Sequence, residues 1–452
     1  MPKVLYGPPP DPKQYELALT LGQEWPAYLA CLLAGLCLSA LALLPRLPKA
    51  ARAGAFVLGQ VVLLTAPLSA FLNDTVYGSF PTPDKNGQLQ FYLRGVHKSL
   101  YLHPIDSLQD PAVKLIGVHA GHHWVTEFFD LFLHGYGALN VQALLWPALG
   151  WFCAALLLKE LCGSWRTAVI VSMPFGMGLH VFRDLNWHTI EKTSVALMAL
   201  YAWSLLKVAR EGGRWRVVAP MLFLLMALDN LYLALVAGVA AGLLLLGTAI
   251  RQKGQAPTKY LAVAILGSAL LILPLGFYQS MLLEGTTGKM ADPEAFLYER
   301  AMLDTLSVWP LQWNRLELWR AVNLPWLAAA GYVLWRDRRN GTVQALGALA
   351  MVLTLLALGP KPLGVWNPLY MGLRLLPGLW RLATPEVFFE GAYLCILGLA
   401  CLAPTKALPR WAYPIVAFGW VLIVRTHPAF PGFSALVDVP FSENWALEMG
   451  LD

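Results

Sequence analysis

Apolar runs of about 20 residues recur along the whole chain, and they limit its folds more than any other feature. A helix of that length rises about 30 Å, the thickness of the hydrocarbon core of a bilayer. Apolar residues make up 57% of the sequence and charged residues only 13%, more apolar than a soluble core requires. We therefore expect an all-α, polytopic helical membrane protein with about 11–12 transmembrane helices. A single membrane domain would cover residues 1–452.

The expected crossings are separated by short polar segments, and some of them are short enough to need a kink or a thin bilayer. They are residues 26–45, 54–72, 138–158, 167–182, 192–206, 217–229, 230–250, 260–283, 321–335, 343–358, 388–404 and 411–425.

Lys and Arg are concentrated in alternate short loops. The basic residues are Arg46, Lys49 and Arg52; Lys159 and Arg166; Lys207, Arg210, Arg214 and Arg216; Arg251, Lys253 and Lys259; Arg336, Arg338 and Arg339; and Lys406 and Arg410. Three acids share these loops, namely Glu160, Glu211 and Asp337. Because cytoplasmic loops are enriched in Lys and Arg, we expect these loops to face the cytoplasm. This asymmetry also explains the net charge of +6, and without a basic run we expect no nucleic acid partner.

The remaining polar segments are then extracytoplasmic. They are an N-terminal tail 1–25, a loop 73–137, a turn 183–191, a second large loop 284–320, a segment 359–387 and a C-terminal tail 426–452. All nine histidines lie in these segments or at their edges. The chemistry of the protein is therefore expected on this face.

The loop 73–137 contains two amphipathic patterns. Pro83 to Gly87 form a turn signal that includes Asp84, and apolar residues then recur at helical spacing from Leu89 to Leu100. This pattern predicts a short helix along the membrane surface. By itself, the turn signal is more typical of an Asx-turn or a helix cap than of an active site.

The second pattern, from Gly121 to His134, places imidazoles and carboxylates on one stripe of a helix. These residues are His123, Glu127, Asp130 and His134. His and carboxylate side chains one turn apart converge on one point, which makes the stripe a candidate site for a divalent metal such as Mg²⁺ or Mn²⁺. A helix face exposed to water has the same pattern, and that alternative stays open.

Two further features have structural explanations. Asp229-Asn230 interrupts an apolar block from Val217 to Ile250, which predicts a turn at the outer end of a tight hairpin. The six cysteines lie in or beside apolar runs with no CxxC pair, which argues against a disulfide framework and a structural zinc site.

The order of short phrases between about Asn73 and Leu206, and more loosely to Ala403, resembles the bacterial GT-C glycosyltransferase superfamily, particularly its YfhO-like branch. The phrases, in order, are Leu89 to Leu93, His103-Pro104 with Asp110-Pro111, Gly135 to Asn140, Leu161 to Ala168, the pair His180 and His188, and Leu375 to Arg381.

The resemblance implies a GT-C-like architecture in the bacterial cytoplasmic (inner) membrane. It also implies transfer of a sugar, with inversion, from a polyprenyl-phosphate donor to a glycan or lipid acceptor in the cell envelope. Asp84 would be the catalytic base that takes the proton of the acceptor hydroxyl, and Asp74, at a helix end, is its rival.

Basic side chains would hold the departing lipid phosphate in that reaction. The candidates are His180, Arg183 and His188 at one outer turn, and Arg374 and Arg381 at another. Arg suits a phosphate through its forked donors, although an Arg at a membrane interface also snorkels to water without binding anything.

Two alternatives to an enzyme stay open. The first is a transporter or flippase for lipid-linked glycans, which would need charged residues along a path through the spans. The second is a non-catalytic scaffold of GT-C-like fold. The superfamily usually has its acidic loop after the first span, whereas here the span 26–45 comes before it, which implies an added N-terminal helix or a different topology. Pro385 is also followed by Glu386 rather than by a basic residue, which is a second departure from the superfamily.

Overall fold

The structure is a computed structural model of the chain. It describes residues 21–42, 44–65, 76–77, 128–129, 132, 136–177, 195–251, 255–283, 318–359, 365–374, 387–404, 409, 412, 415–416 and 436–437.

The described residues are almost entirely helical. The helices are α1 (Leu21–Leu41), α2 (Lys49–Thr65), α3 (Tyr136–Cys162), α4 (Trp165–Met177), α5 (Val195–Glu211), α6 (Trp215–Asp229), α7 (Leu231–Arg251), α8 (Ala256–Leu283), α9 (Leu318–Arg336), α10 (Gly341–Ala357), α11 (Pro368–Arg374) and α12 (Phe388–Ala400). Strands β1 (Val76–Tyr77) and β2 (Leu436–Val437) form a short antiparallel pair in which Val76 lies opposite Val437. The expected all-α class is confirmed.

Most helix positions agree with the apolar runs, and the differences are instructive. Helix α1 begins at Leu21, inside the tail predicted to end at residue 25. The hydropathy pattern missed the first turn of this helix because that turn contains the polar residues Gln23 and Glu24. Helix α11 falls in segment 359–387, where no helix was predicted. Of the predicted span 411–425, only residues 412, 415 and 416 are described.

The core forms where α3, α4, α5, α6, α7, α10 and α12 meet. Trp151 is 1% exposed, and its indole Nε1 donates a 2.8 Å hydrogen bond to the carbonyl oxygen of Val169, which joins α3 to α4. Phe175 and Phe388 are completely buried nearby. Aromatic side chains of this size supply most of the apolar area buried between helices.

Glycines allow two helix pairs to approach closely. A Cβ added to Gly176 of α4 would collide with the carbonyl oxygen of Pro147 and the amide nitrogen of Trp151 on α3. In the other pair, a Cβ on Gly59 of α2 would lie 2.8 Å from the carbonyl oxygen of Gly35 on α1. Small residues at such contacts are typical of helices that pack in membranes.

Several helices also present apolar faces to the outside. Val217, Met221 and Leu225 follow one another at four-residue spacing along α6 and are 62%, 49% and 49% exposed. The exposed fractions of Leu266 and Leu270 on α8 are 62% and 67%. A soluble helical protein would place polar side chains on such faces.

Two of the described helices are long and apolar enough to cross a membrane by length and composition. They contain the stretches Leu145–Cys162 of α3 and Leu233–Ile250 of α7. Shorter apolar stretches are Leu29–Leu41, Ala256–Ile272, Gly341–Ala357 and Phe388–Ala400. These helices are consistent with membrane association.

Candidate functional site

Most of the residues proposed above for chemistry lie outside the described part of the chain. They are Asp74, Asp84, His123, Glu127, Asp130, His134, His180, Arg183, His188 and Arg381. Arg374 is the last residue of α11. The described helices that border these residues nevertheless define where each of the segments leaves and re-enters the bundle.

The basic loops lie together at one end of the bundle, which we call the basic end. Glu160 at the end of α3 accepts a 3.2 Å hydrogen bond from Arg210 of α5, and its carboxylate lies 3.3 Å from Lys207. Arg216 at the start of α6 places its guanidinium 4.8 Å from the centre of the Tyr260 ring, near the start of α8. These contacts join three of the predicted cytoplasmic loops.

The other basic loops join the same end. Arg336 at the end of α9 donates hydrogen bonds to the carbonyl oxygens of Leu402 and Ala403, just beyond α12, at 2.9 and 3.0 Å. The Sγ of Cys401, next to them, lies 3.9 Å from the carbonyl oxygen of Leu158 on α3. Near the start of α2, a Cβ on Gly54 would contact the Phe152 ring, which stacks on Trp165 at the start of α4.

Each of the three acids in these loops pairs with a neighbouring cation. Glu160 pairs with Lys207 and Arg210, Glu211 lies 2.8 Å from Lys207, and Asp337 lies 2.6 Å from Arg336. The hydrogen bond from Lys207, with that from Trp215, lowers the pKa of Glu211, and the hydrogen bond from Arg336 lowers the pKa of Asp337. These acids therefore stay ionised at neutral pH and stabilise the helix ends locally.

The helix ends that border the candidate residues lie at the opposite end of the bundle. Helices α3, α5 and α12 end at the basic end, so they begin at the opposite end, at Tyr136, Val195 and Phe388. Helices α4 and α10 begin at the basic end and finish at the opposite end, at Met177 and Ala357. The described helix ends beside segments 178–194 and 358–387 therefore lie at this opposite end.

The strand pair joins two of the predicted extracytoplasmic segments. β1 follows Asp74 by two residues and contacts α3, and β2 belongs to the predicted C-terminal tail. The hydropathy pattern gave no signal for this pairing, because two residues are too few for a period-2 pattern to be recognised.

The pair Asp229-Asn230 forms the turn that the sequence predicted. Asn230 has extended backbone angles between α6 and α7, and its Oδ1 accepts a 3.2 Å hydrogen bond from the amide of Leu233, as an N-cap does. Both residues are buried, with 3% and 2% of their surface exposed. The turn between α6 and α7 explains why Asn230 is buried. Asp229, next to it, is a buried carboxylate at the end of the bundle opposite the basic end.

Glu390 is a half-buried acid with one buried carboxylate oxygen, and sequence reasoning missed it. It lies in the first turn of α12, where a negative charge is stabilised by the helix dipole, and its Oε2 is buried. Its neighbour Gly391 faces Val236, about two turns into α7 after Asn230. The signal that could have identified it is an acid set inside an otherwise apolar helix.

Asn367 is another buried polar residue, and it anchors α11. Its Nδ2 donates hydrogen bonds to the carbonyl oxygens of Leu355 and Gly359, at 2.5 and 2.9 Å, and its Oδ1 accepts one from the amide of Leu369 at 3.2 Å. The side chain therefore satisfies the last carbonyls of α10 and caps α11. This anchor fixes where Arg374 leaves the bundle.

Within the residues that the structure describes, no group of three or more His, Cys, Asp or Glu side chains could hold a metal ion. The stripe from His123 to His134, the only metal site expected from the sequence, lies outside them. The expectation of a bound Mg²⁺ or Mn²⁺ therefore stays a prediction.

Comparison with known proteins adds no family. No protein-family model matches this chain, and no curated protein matches it significantly.

Proposed function

We propose that this chain is a polytopic protein of the bacterial cytoplasmic membrane with its basic end in the cytoplasm. The apolar outer faces of α6 and α8, exposed in the isolated chain, support this proposal because a bilayer would cover them. The gathering of Lys and Arg at one end supports the orientation, since cytoplasmic loops carry the excess of basic residues.

We further propose that it is a glycosyltransferase that uses a polyprenyl-phosphate-linked sugar. The observation that supports this proposal is the position of the helices that border the candidate segments. These helices start or finish at the end of the bundle opposite the basic loops. In the proposed orientation those segments are extracytoplasmic, where a lipid tail can remain in the bilayer while its head reacts in water.

The proposed reaction begins with a carboxylate, Asp84 or its rival Asp74, that accepts the proton of the acceptor hydroxyl. The oxygen then attacks the anomeric carbon from the face opposite the phosphate, the bond from that carbon to the phosphate oxygen breaks, and the configuration inverts. The polyprenyl phosphate leaves with the bonding electrons, and Arg183, Arg374 or Arg381 neutralises its charge together with His180 and His188.

Neutralising the acid tests the proposal most directly. Purified protein in liposomes would be given a panel of polyprenyl-phosphate sugars and a membrane acceptor fraction, and transferred sugar would be counted. Asp84→Asn should lower the transfer rate about 10²–10⁴-fold, because general base catalysis is lost. Asp106→Asn, in the same loop, is the matched control and should retain full activity.

The outcomes separate the alternatives. Full activity of Asp84→Asn with loss in Asp74→Asn would move the base role to Asp74. Full activity of both variants would end the enzyme proposal as framed. Absence of transfer by the unaltered protein across the donor panel, with lipid-linked glycan still moving between leaflets, would favour the flippase.

A further inference from the structure

An apolar groove opens on the side of the bundle near the basic end. Its volume is about 670 Å³, and it lies between α3, α5, α7, α10 and α12. Aliphatic side chains such as Leu161, Leu206, Leu246 and Val352 form most of its wall. A cavity of this size is comparable to the pockets of roughly 300–1,000 Å³ that bind small ligands.

The groove runs along the bundle axis. Its lining extends from Val236 to Ile250 on α7 and from Asn340 to Leu353 on α10. At 1.5 Å per residue, both stretches are about 20 Å long. This length compares with about 15 Å for the hydrocarbon of one leaflet, so the groove could hold a lipid chain from its carbonyl end to its tip.

The end of the groove at the start of α10, which we call its mouth, is polar. Asn340, Thr342 and Gln344 line it at the start of α10. Arg338 and Arg339 directly precede them, and both side chains are exposed. The Nε2 of Gln344 donates a 2.7 Å hydrogen bond to the carbonyl oxygen of Arg338, which holds the turn against the first helical residues of α10. The apolar length therefore ends at a polar mouth that directly follows two exposed arginines in the chain.

The groove has the volume of a single hydrocarbon chain. A methylene chain about 5 Å across and 20 Å long occupies about 400 Å³, given carbon–carbon contacts near 4 Å. The groove therefore has room for one lipid chain along its length.

We propose that this groove binds one acyl chain of an anionic phospholipid from the cytoplasmic leaflet, with the headgroup phosphate against Arg338 and Arg339. The apolar wall matches the chain, and the two guanidinium groups match the anionic head. The proposed headgroup contact is at the basic end, whereas the sugar donor would react at the opposite end, so the two lipids are distinct. The inference relies on the proposed membrane orientation and not on sugar transfer.

Two glycines of α7 provide a matched pair of variants. Gly247 lines the groove, and a Cβ added there meets nothing within 4 Å. A Cβ on Gly242 also meets nothing within 4 Å, but Gly242 does not line the groove. A Phe side chain at position 247 would enter the space of the lipid chain, whereas one at position 242 would not. Both substitutions remove a helix-interior glycine, so their effects on helix propensity are equal.

The test is native mass spectrometry of the full chain in detergent. Phosphatidylglycerol and phosphatidylcholine with identical oleoyl chains are the probes. The unaltered protein should retain one phosphatidylglycerol and bind it about tenfold tighter than phosphatidylcholine. Gly247→Phe should abolish that bound lipid, and Gly242→Phe should leave it unchanged. Arg338→Gln with Arg339→Gln should reduce the phosphatidylglycerol affinity to that of phosphatidylcholine, whereas Arg46→Gln with Lys49→Gln should not.

Three results would overturn the proposal. The first is unchanged lipid retention in Gly247→Phe, which would mean that the lipid binds elsewhere. The second is equal affinity for the two lipids in the unaltered protein. The third is a dimer that Gly247→Phe dissociates, which would make a second copy the occupant. None of these measurements depends on sugar transfer. A negative result for lipid binding therefore does not contradict the glycosyltransferase proposal, and absence of sugar transfer does not contradict lipid binding.

Discussion

The guanidinium of Arg336 donates a 3.0 Å hydrogen bond to the carbonyl oxygen of Ala403, 67 residues further along the chain. A second hydrogen bond, of 2.9 Å, reaches the carbonyl oxygen of Leu402. Helix carbonyls near a C-terminus lack intrahelical partners, so this side chain satisfies the end of α12 from the end of α9. Arg336 is thus half-buried and tied to the end of the bundle by its contacts, whereas its neighbours Arg338 and Arg339 are exposed.

The first prediction concerns this contact. Arg336→Met should lower the resistance of the protein to unfolding by SDS in mixed micelles, because two carbonyl oxygens and Asp337 lose their donor. Arg338→Met, which removes an exposed charge two residues away, is the control and should unfold like the unaltered protein. Equal behaviour of the two variants would show that the contact contributes nothing to stability.

The second prediction concerns pH. The folded-state pKa values of Asp337 and Glu211 are lowered by Arg336 and Lys207, so their contribution to stability is complete above the unfolded-state pKa values of about 4. That contribution is lost as the pH falls through the lower folded-state values. Stability should therefore decrease as the pH falls below about 4. The loss of stability at low pH should be smaller in Asp337→Asn than in the unaltered protein, and it should be unchanged in Arg338→Gln. Thermal unfolding at a series of pH values measures this loss in each variant.

The third prediction concerns the close approach of α3 and α4. Gly176→Ala should lower the free energy of unfolding by about 1–3 kcal/mol, because its Cβ would collide with backbone atoms of Pro147 and Trp151 that have no room to move. Gly242→Ala meets open space and should stabilise α7 slightly. Unfolding of both variants by SDS in mixed micelles measures the difference. A neutral result for Gly176→Ala would mean that the two helices do not touch at this point.

The fourth prediction concerns Asn367. Asn367→Ala should cost about 1–3 kcal/mol of stability, because two buried carbonyl oxygens lose their donor. Asn340→Ala removes an exposed N-cap of α10, whose Oδ1 accepts from the amide of Thr342, and should cost about 1 kcal/mol. Proteolysis within α11 should accelerate in the Asn367 variant only. If both variants lose stability equally without that cleavage, Asn367 does not anchor α11.

The fifth prediction concerns orientation. In a background with the six native cysteines replaced, a membrane-impermeant thiol reagent added outside spheroplasts should label Lys85→Cys and His188→Cys. It should label Arg214→Cys and Arg338→Cys, both at exposed positions of the basic end, only after the membrane is permeabilised. Gly212 is a poor probe position, since its φ of +63° and the adjacent Tyr260 ring disfavour a side chain. Labelling of position 214 or 338 from outside would invert the proposed topology.

Local pattern was sufficient to predict most of the described helices, although not α11. The run 230–250 became α7 at Leu231–Arg251, and the run 388–404 became α12 at Phe388–Ala400. The turn at Asn230 was also readable, since a polar pair inside an apolar block interrupts helix burial. The candidate site was less predictable, because Asp84 and Asp74 were chosen by resemblance and lie outside the described residues.

By itself, the sequence determined where most of the described helices lie and which loops are basic, because hydropathy and charge are properties of contiguous residues. Tertiary structure alone decided the contact of Gly176 with Trp151, the burial of the Glu390 Oε2, the anchoring role of Asn367 and the apolar groove beside Gly247. Each of these depends on which helices become neighbours. Helices such as α3 and α8 are apolar on all sides, so no single apolar face in their sequence indicates which helix they will contact. Backbone shape and side-chain volume select the neighbouring helix instead.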